Sequence, residues 1–130
     1  MKDDIVVTDG NEIVIVNQYS YCELVKWLIV EYVGICYEQA SICVNAHIDY
    51  FASIKTMSEV CFETHDWPYY YLAMTFYYGD YRKANPIKPE PNTPEGLSFY
   101  EKIEADIFDK HNIKEPFIWI DAENAQSPIS

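Results

Sequence analysis

The chain has 130 residues, 49% of them hydrophobic, which is enough for one domain of ordinary size to bury its own core. Its 21 acidic residues against 9 basic ones give a net charge of −12 at pH 7, a field that repels phosphate backbones and anionic lipid and so argues against direct binding to nucleic acid or to a membrane surface. The longest apolar stretch, LIVEYVGICY at 28–37, is interrupted by Glu31 and is too short to span a bilayer.

Residues 4–17 read DIVVTDGNEIVIVN, two β-branched runs joined by Asp9, Gly10 and Asn11, and predict an opening β-hairpin. The continuous run Ile13, Val14, Ile15 and Val16 implies a second strand that is covered on both faces or central in a sheet. Ser20 and Glu23 have capping-box spacing ahead of LVKWLIVEYV, which predicts a mostly buried helix over 21–33 that ends or bends at Gly34. Apolar residues near helical spacing predict another helix over about 37–57. Residues 58–65 fit a strand or a longer helix equally.

Asp66 caps a third helix in this reading, with Pro68 in its first turn and Gly79 at its end. The proline-rich segment 85–94 reads as a connection inside a single domain covering 1–130. Thr93, Pro94 and Glu95 start a helix running to about Lys110, with Leu97, Tyr100, Ile103, Ile107 and Phe108 as its apolar stripe. PFIWI at 116–120 is a strand, and 122–130 are expected to fray. The fold class is therefore α+β: a small antiparallel or mixed sheet, made of the N-terminal hairpin and a C-terminal strand, packed with three to four helices.

No motif names a reaction, and no cofactor or metal is expected. Cys36, Cys43 and His47 would share one face of a continuous helix, but they lack the close ligand pairs of zinc sites, and a buried apolar face explains them better. Cys61 with His65 or His47 would make a nucleophilic pair only by accident of composition, since nothing electropositive is present to activate a thiol. Glu59, Glu63 and Asp66 are carboxylates close enough in sequence for acid–base work, and equally a solvated face. The four glycines are too scattered for a phosphate-cradling loop. Cys22, Cys36, Cys43 and Cys61 do not have the spacing of a secreted disulfide framework, and Met1, Lys2, Asp3 and Asp4 precede no apolar signal region. Reduced core thiols in a cytoplasmic protein are expected.

The acidity is concentrated: the first 80 residues hold 12 acids and 3 bases, the remainder 9 and 6. Strong acidity serves solubility by itself, but here it adjoins a helix with no charged side chain between Trp67 and Tyr78. Tyrosine suits places where the ring is packed and the hydroxyl reaches water, and the six tyrosines of 69–81 cannot all face one way. Tyr69, Tyr70, Tyr77 and Tyr81, with Glu59, Glu63, Asp66 and Asp80 as an acidic rim, are the candidate partner-binding residues. Base stacking on these rings lacks a basic groove, Arg82 and Lys83 being the only doublet nearby.

The expected partner is thus a basic protein. An immunity protein that occludes a nuclease or other nucleic-acid-directed toxin fits best, because such active sites are positive. Three alternatives have different signatures: a phage-type nucleic-acid mimic acting against restriction or CRISPR enzymes, with carboxylates spaced like phosphates; a small enzyme or ligand-binding protein, with a pocket converging on His47, His65 and Glu63; and a homodimer formed through the tyrosine patch.

Overall fold

The two β-branched runs form β1 (Ile5–Asp9) and β2 (Glu12–Val16), joined by a two-residue loop in which Gly10 supplies the positive φ of 60° that tight hairpins need. The computed structural model describes residues 1–64 and 67–121, so the expected cap at Asp66 and the fraying of 122–130 lie outside it. β3 (Phe117–Asp121) pairs with β2, giving a three-stranded antiparallel sheet in the order β1-β2-β3. The α+β class and the central place of β2 both follow from the sequence pattern. Val7, Val14, Val16 and Phe117 are buried on the core face, whereas the opposite face carries the cross-strand pairs Ile15–Ile118 and Ile13–Ile120, all half-buried.

Six α-helices follow among the described residues, more than the three or four expected. They are α1 (Gln18–Val33), α2 (Tyr37–Asn45), α3 (Ile48–Ala52), α4 (Met57–Glu63), α5 (Tyr70–Tyr78) and α6 (Pro94–His111), with a 3-10 turn at Tyr81–Lys83. None is long and apolar enough to cross a membrane. The helix expected over 37–57 is divided, because the chain turns at Ala46–His47 and again after Ala52 to fold around α1. Residues 58–63 are helical rather than extended, fixed by a capping box in which Thr56 and Glu59 exchange side-chain and backbone bonds.

α1 is the centre of the molecule and touches α2, α3, α5 and α6. Tyr21, Cys22, Leu24, Val25, Leu28, Ile29 and Tyr32 are buried along it, each large apolar chain contributing about 1.5–3 kcal/mol of transfer free energy. Its start differs from the expectation: the helix begins at Gln18, and Ser20 lies inside it. The capping carboxylate is Asp3, which accepts from the Ser20 N–H at 2.9 Å and from Ser20 Oγ at 2.7 Å, a partner too distant in sequence for a local pattern to reveal. Glu23 instead pairs with Lys26 at 2.9 Å and accepts the Tyr37 hydroxyl at 2.6 Å.

α1 ends at Gly34, whose φ of 83° is left-handed. The proline-rich connection lies against this end, with the Ile87 N–H donating to the Tyr32 carbonyl at 2.8 Å and Lys88 paired with Glu31. Thr93 caps α6 through the Gly96 N–H at 3.0 Å. A Cβ on Gly96 would sit 2.1 Å from the Glu90 carbonyl oxygen, so only glycine fits there.

Two buried tyrosines give a direct test of packing against hydrogen bonding. The hydroxyls of Tyr32 and Tyr70 have no partner among the described residues, and their rings meet at 4.8 Å. The Tyr100 hydroxyl accepts from the Tyr69 N–H at 3.0 Å and donates to Glu104 at 2.6 Å. Tyr70→Phe is expected to leave stability unchanged or raise it, whereas Tyr100→Phe should lower it by about 1–2 kcal/mol. Urea denaturation of both variants distinguishes the two cases.

Candidate partner-binding cleft

α4 and α5 converge beside α1 and leave an open cleft of about 510 Å³ between them. Its floor is Tyr21 from α1, its flank is Tyr50 from α3, and its far side is closed by Tyr81 of the 3-10 turn. Phe62 and Trp67 stand at the lips, 71% and 57% exposed, a large solvent exposure for two rings so close together in the chain. On α4 the buried side chain is Val60, and Phe62, two residues on, is turned to the other side of so short a helix.

Trp67, Tyr71 and Tyr81 form a three-ring cluster, with centroids 4.9, 5.5 and 5.1 Å apart in the pairs Trp67–Tyr71, Trp67–Tyr81 and Tyr71–Tyr81. Such tilted and edge-on contacts hold rings rigidly in relation to one another. Among the described residues, Glu63 is the only charged side chain lining the cleft. Its two oxygens are held separately, Oε1 by the Tyr21 hydroxyl at 2.8 Å and Oε2 by the Tyr50 hydroxyl at 2.5 Å. Burial, with the negative charge of Glu63 adding to it, keeps both phenols protonated well above the ordinary tyrosine range.

The proposed site residues divide on inspection. Glu63, Tyr69 and Tyr81 line the cleft. Tyr70 does not: it is fully buried against Tyr32 and belongs to the core, a correction that follows from its position on the α1-facing side of α5. Tyr77 is exposed at the end of α5, with its ring against Tyr78. Glu59 is occupied as the cap of α4, where backbone N–H bonds from Lys55 and Thr56 hold its carboxyl below the usual range. Asp80 accepts the Arg82 N–H at 2.9 Å and is gripped by the Arg82 guanidinium, which lowers its pKa to about 2 and cancels its charge locally. Asp66 and His65 lie outside the described residues.

The sequence reading missed Phe62, Trp67, Tyr50 and Tyr71 as site residues. It also missed a second groove on the far side of Trp67, where Trp119, Leu97 and Glu104 lie. Trp67, Pro68 and Tyr69 border both hollows and form the ridge between them. A lone tryptophan before a proline, outside any helical stripe, was the available signal for Trp67.

The cysteine and histidine constellations are also corrected. α2 stops at Asn45, with Cys36 as its N-terminal flank, and His47 flanks the start of the separate helix α3, so Cys36, Cys43 and His47 share no continuous helix face. His47 is exposed and stacks on Phe76 at 4.6 Å, and it takes no part in the cleft that holds Glu63. Cys36 and Cys61 are exposed and only Cys22 is fully buried, so the thiols are not all core residues. Burial raises the Cys22 pKa to about 11, which keeps it an unreactive thiol. Among the described residues no group of three His, Cys, Asp or Glu side chains is placed to hold a metal ion.

Comparison with known proteins gives no match: no family model, no curated protein and no solved structure is significantly similar to this chain.

Two outcomes follow from the geometry. Glu63→Ala leaves the buried Tyr21 hydroxyl without its acceptor and should destabilise by about 1–3 kcal/mol, whereas Glu63→Gln keeps a carbonyl acceptor and should cost less, as thermal or urea unfolding will show. The second concerns pH. Burial raises the Glu104 pKa above 4.5 despite the Tyr100 hydrogen bond, so folding favours the protonated acid. Its stabilising contribution is full below pH 4.5 and is lost as pH rises through the folded-state pKa. Glu104→Gln, which cannot ionise, should flatten that part of the stability–pH curve.

Proposed function

We propose that this chain is an acidic binding protein that neutralises a basic protein partner, most specifically a cytoplasmic immunity protein that occludes a nuclease or other nucleic-acid-directed toxin. The observation that carries the reading is the pair of exposed rings, Phe62 and Trp67, standing over the Glu63 carboxylate on a chain of net charge −12. Apolar anchors surrounded by one sign of charge are what a tight and selective protein interface uses: the rings supply desolvated contact area, and the charge accelerates encounter and rejects wrong partners. A toxin that grips phosphates carries the opposite field. Four free thiols fit a reducing compartment.

A second reading has its own support. The cleft volume of about 510 Å³ lies in the range of small-molecule sites, roughly 300–1,000 Å³, so an apolar ligand or substrate is the competing occupant.

The test is a pull-down from source-cell lysate with the tagged chain at low and high salt, identifying bound protein and bound nucleic acid. One basic protein, lost as salt rises, is the expected result. Recovery of a nucleic-acid-processing enzyme bound through its DNA channel would favour the nucleic-acid mimic, and recovery of no protein would favour the small ligand. With the basic partner in hand, Trp67→Ala and Phe62→Ala should each speed dissociation by about tenfold or more while leaving folding intact. Asp80→Asn leaves the Arg82 guanidinium without its partner and should slow association with a basic protein, an effect that shrinks as salt rises.

A further inference from the structure

Among the described residues, the cleft contains an anion without a cation. Glu63 has no lysine, arginine or histidine partner among the described residues, and none of these residues lines the cleft. Glu23 has Lys26 and Glu31 has Lys88, whereas Glu104, which accepts the Tyr100 hydroxyl outside this cleft, resembles Glu63 in having no cation among the described residues. Glu63 is half-buried, and a partly covered carboxylate without an opposite charge gains from an incoming cation while little of the desolvation cost remains to be met. Tyr21 and Tyr50 supply one hydrogen bond to each oxygen, which fixes the carboxylate plane without removing its charge. Each carboxylate oxygen offers about two acceptor sites, so one on each remains for an incoming donor pair.

We infer that the cleft receives an arginine side chain of the basic partner, its guanidinium forked onto Glu63 and its plane packed against the rings of the Trp67, Tyr71 and Tyr81 cluster. This inference rests on the proposed function and specifies its contact. Charge complementarity selects a cation. The two fixed oxygens select a planar, bidentate donor over a point charge. The aromatic walls favour a weakly hydrated cation that stacks, which again is guanidinium rather than ammonium. The walls are mainly aromatic ring surface, and the hydroxyls of Tyr21 and Tyr50 are already engaged by Glu63, so the carboxylate is the strongest acceptor offered to an entering group. A net charge of −12 raises the local concentration of any such cation at the mouth.

The experiment is a heteronuclear NMR titration of the full chain with three blocked amino acids: acetyl-arginine methylamide, acetyl-lysine methylamide and the neutral isostere acetyl-citrulline methylamide. Arginine is expected to give saturable shifts at the Trp67 indole and the Phe62, Glu63 and Tyr71 amides with millimolar affinity. Lysine should bind several-fold more weakly and citrulline without saturation. Glu63→Gln should abolish the arginine response. Trp67→Ala, a change at an exposed ring that leaves the fold intact, should weaken it several-fold and serves if the Glu63 variant unfolds. Absence of saturable arginine shifts, equal binding of citrulline, or an unchanged response in Glu63→Gln overturns the inference. Capture of a basic protein whose affinity ignores both variants overturns the inference alone and leaves the proposed function standing. Arginine binding in the cleft with no basic protein partner overturns both and makes a free cationic ligand the occupant.

Discussion

α1 is covered over most of its surface, and this constrains everything else. A helix with tyrosine, leucine, isoleucine and valine around most of its circumference cannot lie at a surface, so the remaining elements must cover it. Covering it also buries its polar residues, and each of these must find a partner. Gln18 donates to the carbonyls of Ala52 and Ile54, Asn17 donates to that of Glu115, and Ser20 bonds Asp3 and accepts from the Lys114 N–H. These three residues and their partners join the segment leading into β1, the end of α3 and the lead into β3 at one point. The sheet is closed onto the helices by that junction.

The cleft is a consequence of the same requirement. Short helices wrap a central rod more closely than one long helix does, and α3, α4 and α5 each turn after five to nine residues to follow α1. Between α4 and α5 the wrapping is incomplete, so Tyr21, a core residue, becomes the floor of a surface hollow. Its ring packs edge-on against Phe51 at 5.1 Å and against Phe117 at 5.4 Å, while its hydroxyl reaches Glu63. The amphipathic character of tyrosine links core packing to the placement of the cleft carboxylate. The tyrosine content noted in the sequence therefore has a structural use that phenylalanine could not supply.

Elements whose signals are local were legible in the sequence: the hairpin about Gly10, the stop at Gly34, the Thr93–Pro94 start of α6 and the strand at Phe117 all rest on two to five adjacent residues. Elements that depend on partners far along the chain were not. Ser20 has the spacing of a cap, yet Asp3 competes successfully for the helix start because tertiary structure brings it there. The apolar spacing over 37–57 suits one long helix, yet the curvature demanded by α1 divides it. The tyrosine-rich stretch announced an aromatic site, but helical spacing alone could not separate buried Tyr70 from half-exposed Tyr71, its immediate neighbour, without knowing where α1 lies. Trp119 and Leu97 enter the second groove only because β3 and α6 meet beside Trp67, a relation that no local pattern encodes.

Electrostatic function is set by what each acid is bonded to, and a count of charges misses this. Asp80 and Asp4 are paired with Arg82 and Lys114, so their fields are largely cancelled beyond the contact. Glu59 and Asp3 are used at helix starts, where backbone dipoles absorb part of their charge. Glu63 is held by two phenols, as Glu104 is by one, and among the described residues it has no cationic partner. A phenol orients a carboxylate without contributing a positive charge to it. Under the proposed function, an aromatic-walled hollow places the Glu63 carboxylate where an incoming group is least screened by water, which is why one charge there counts for more in recognition than a distant exposed acid.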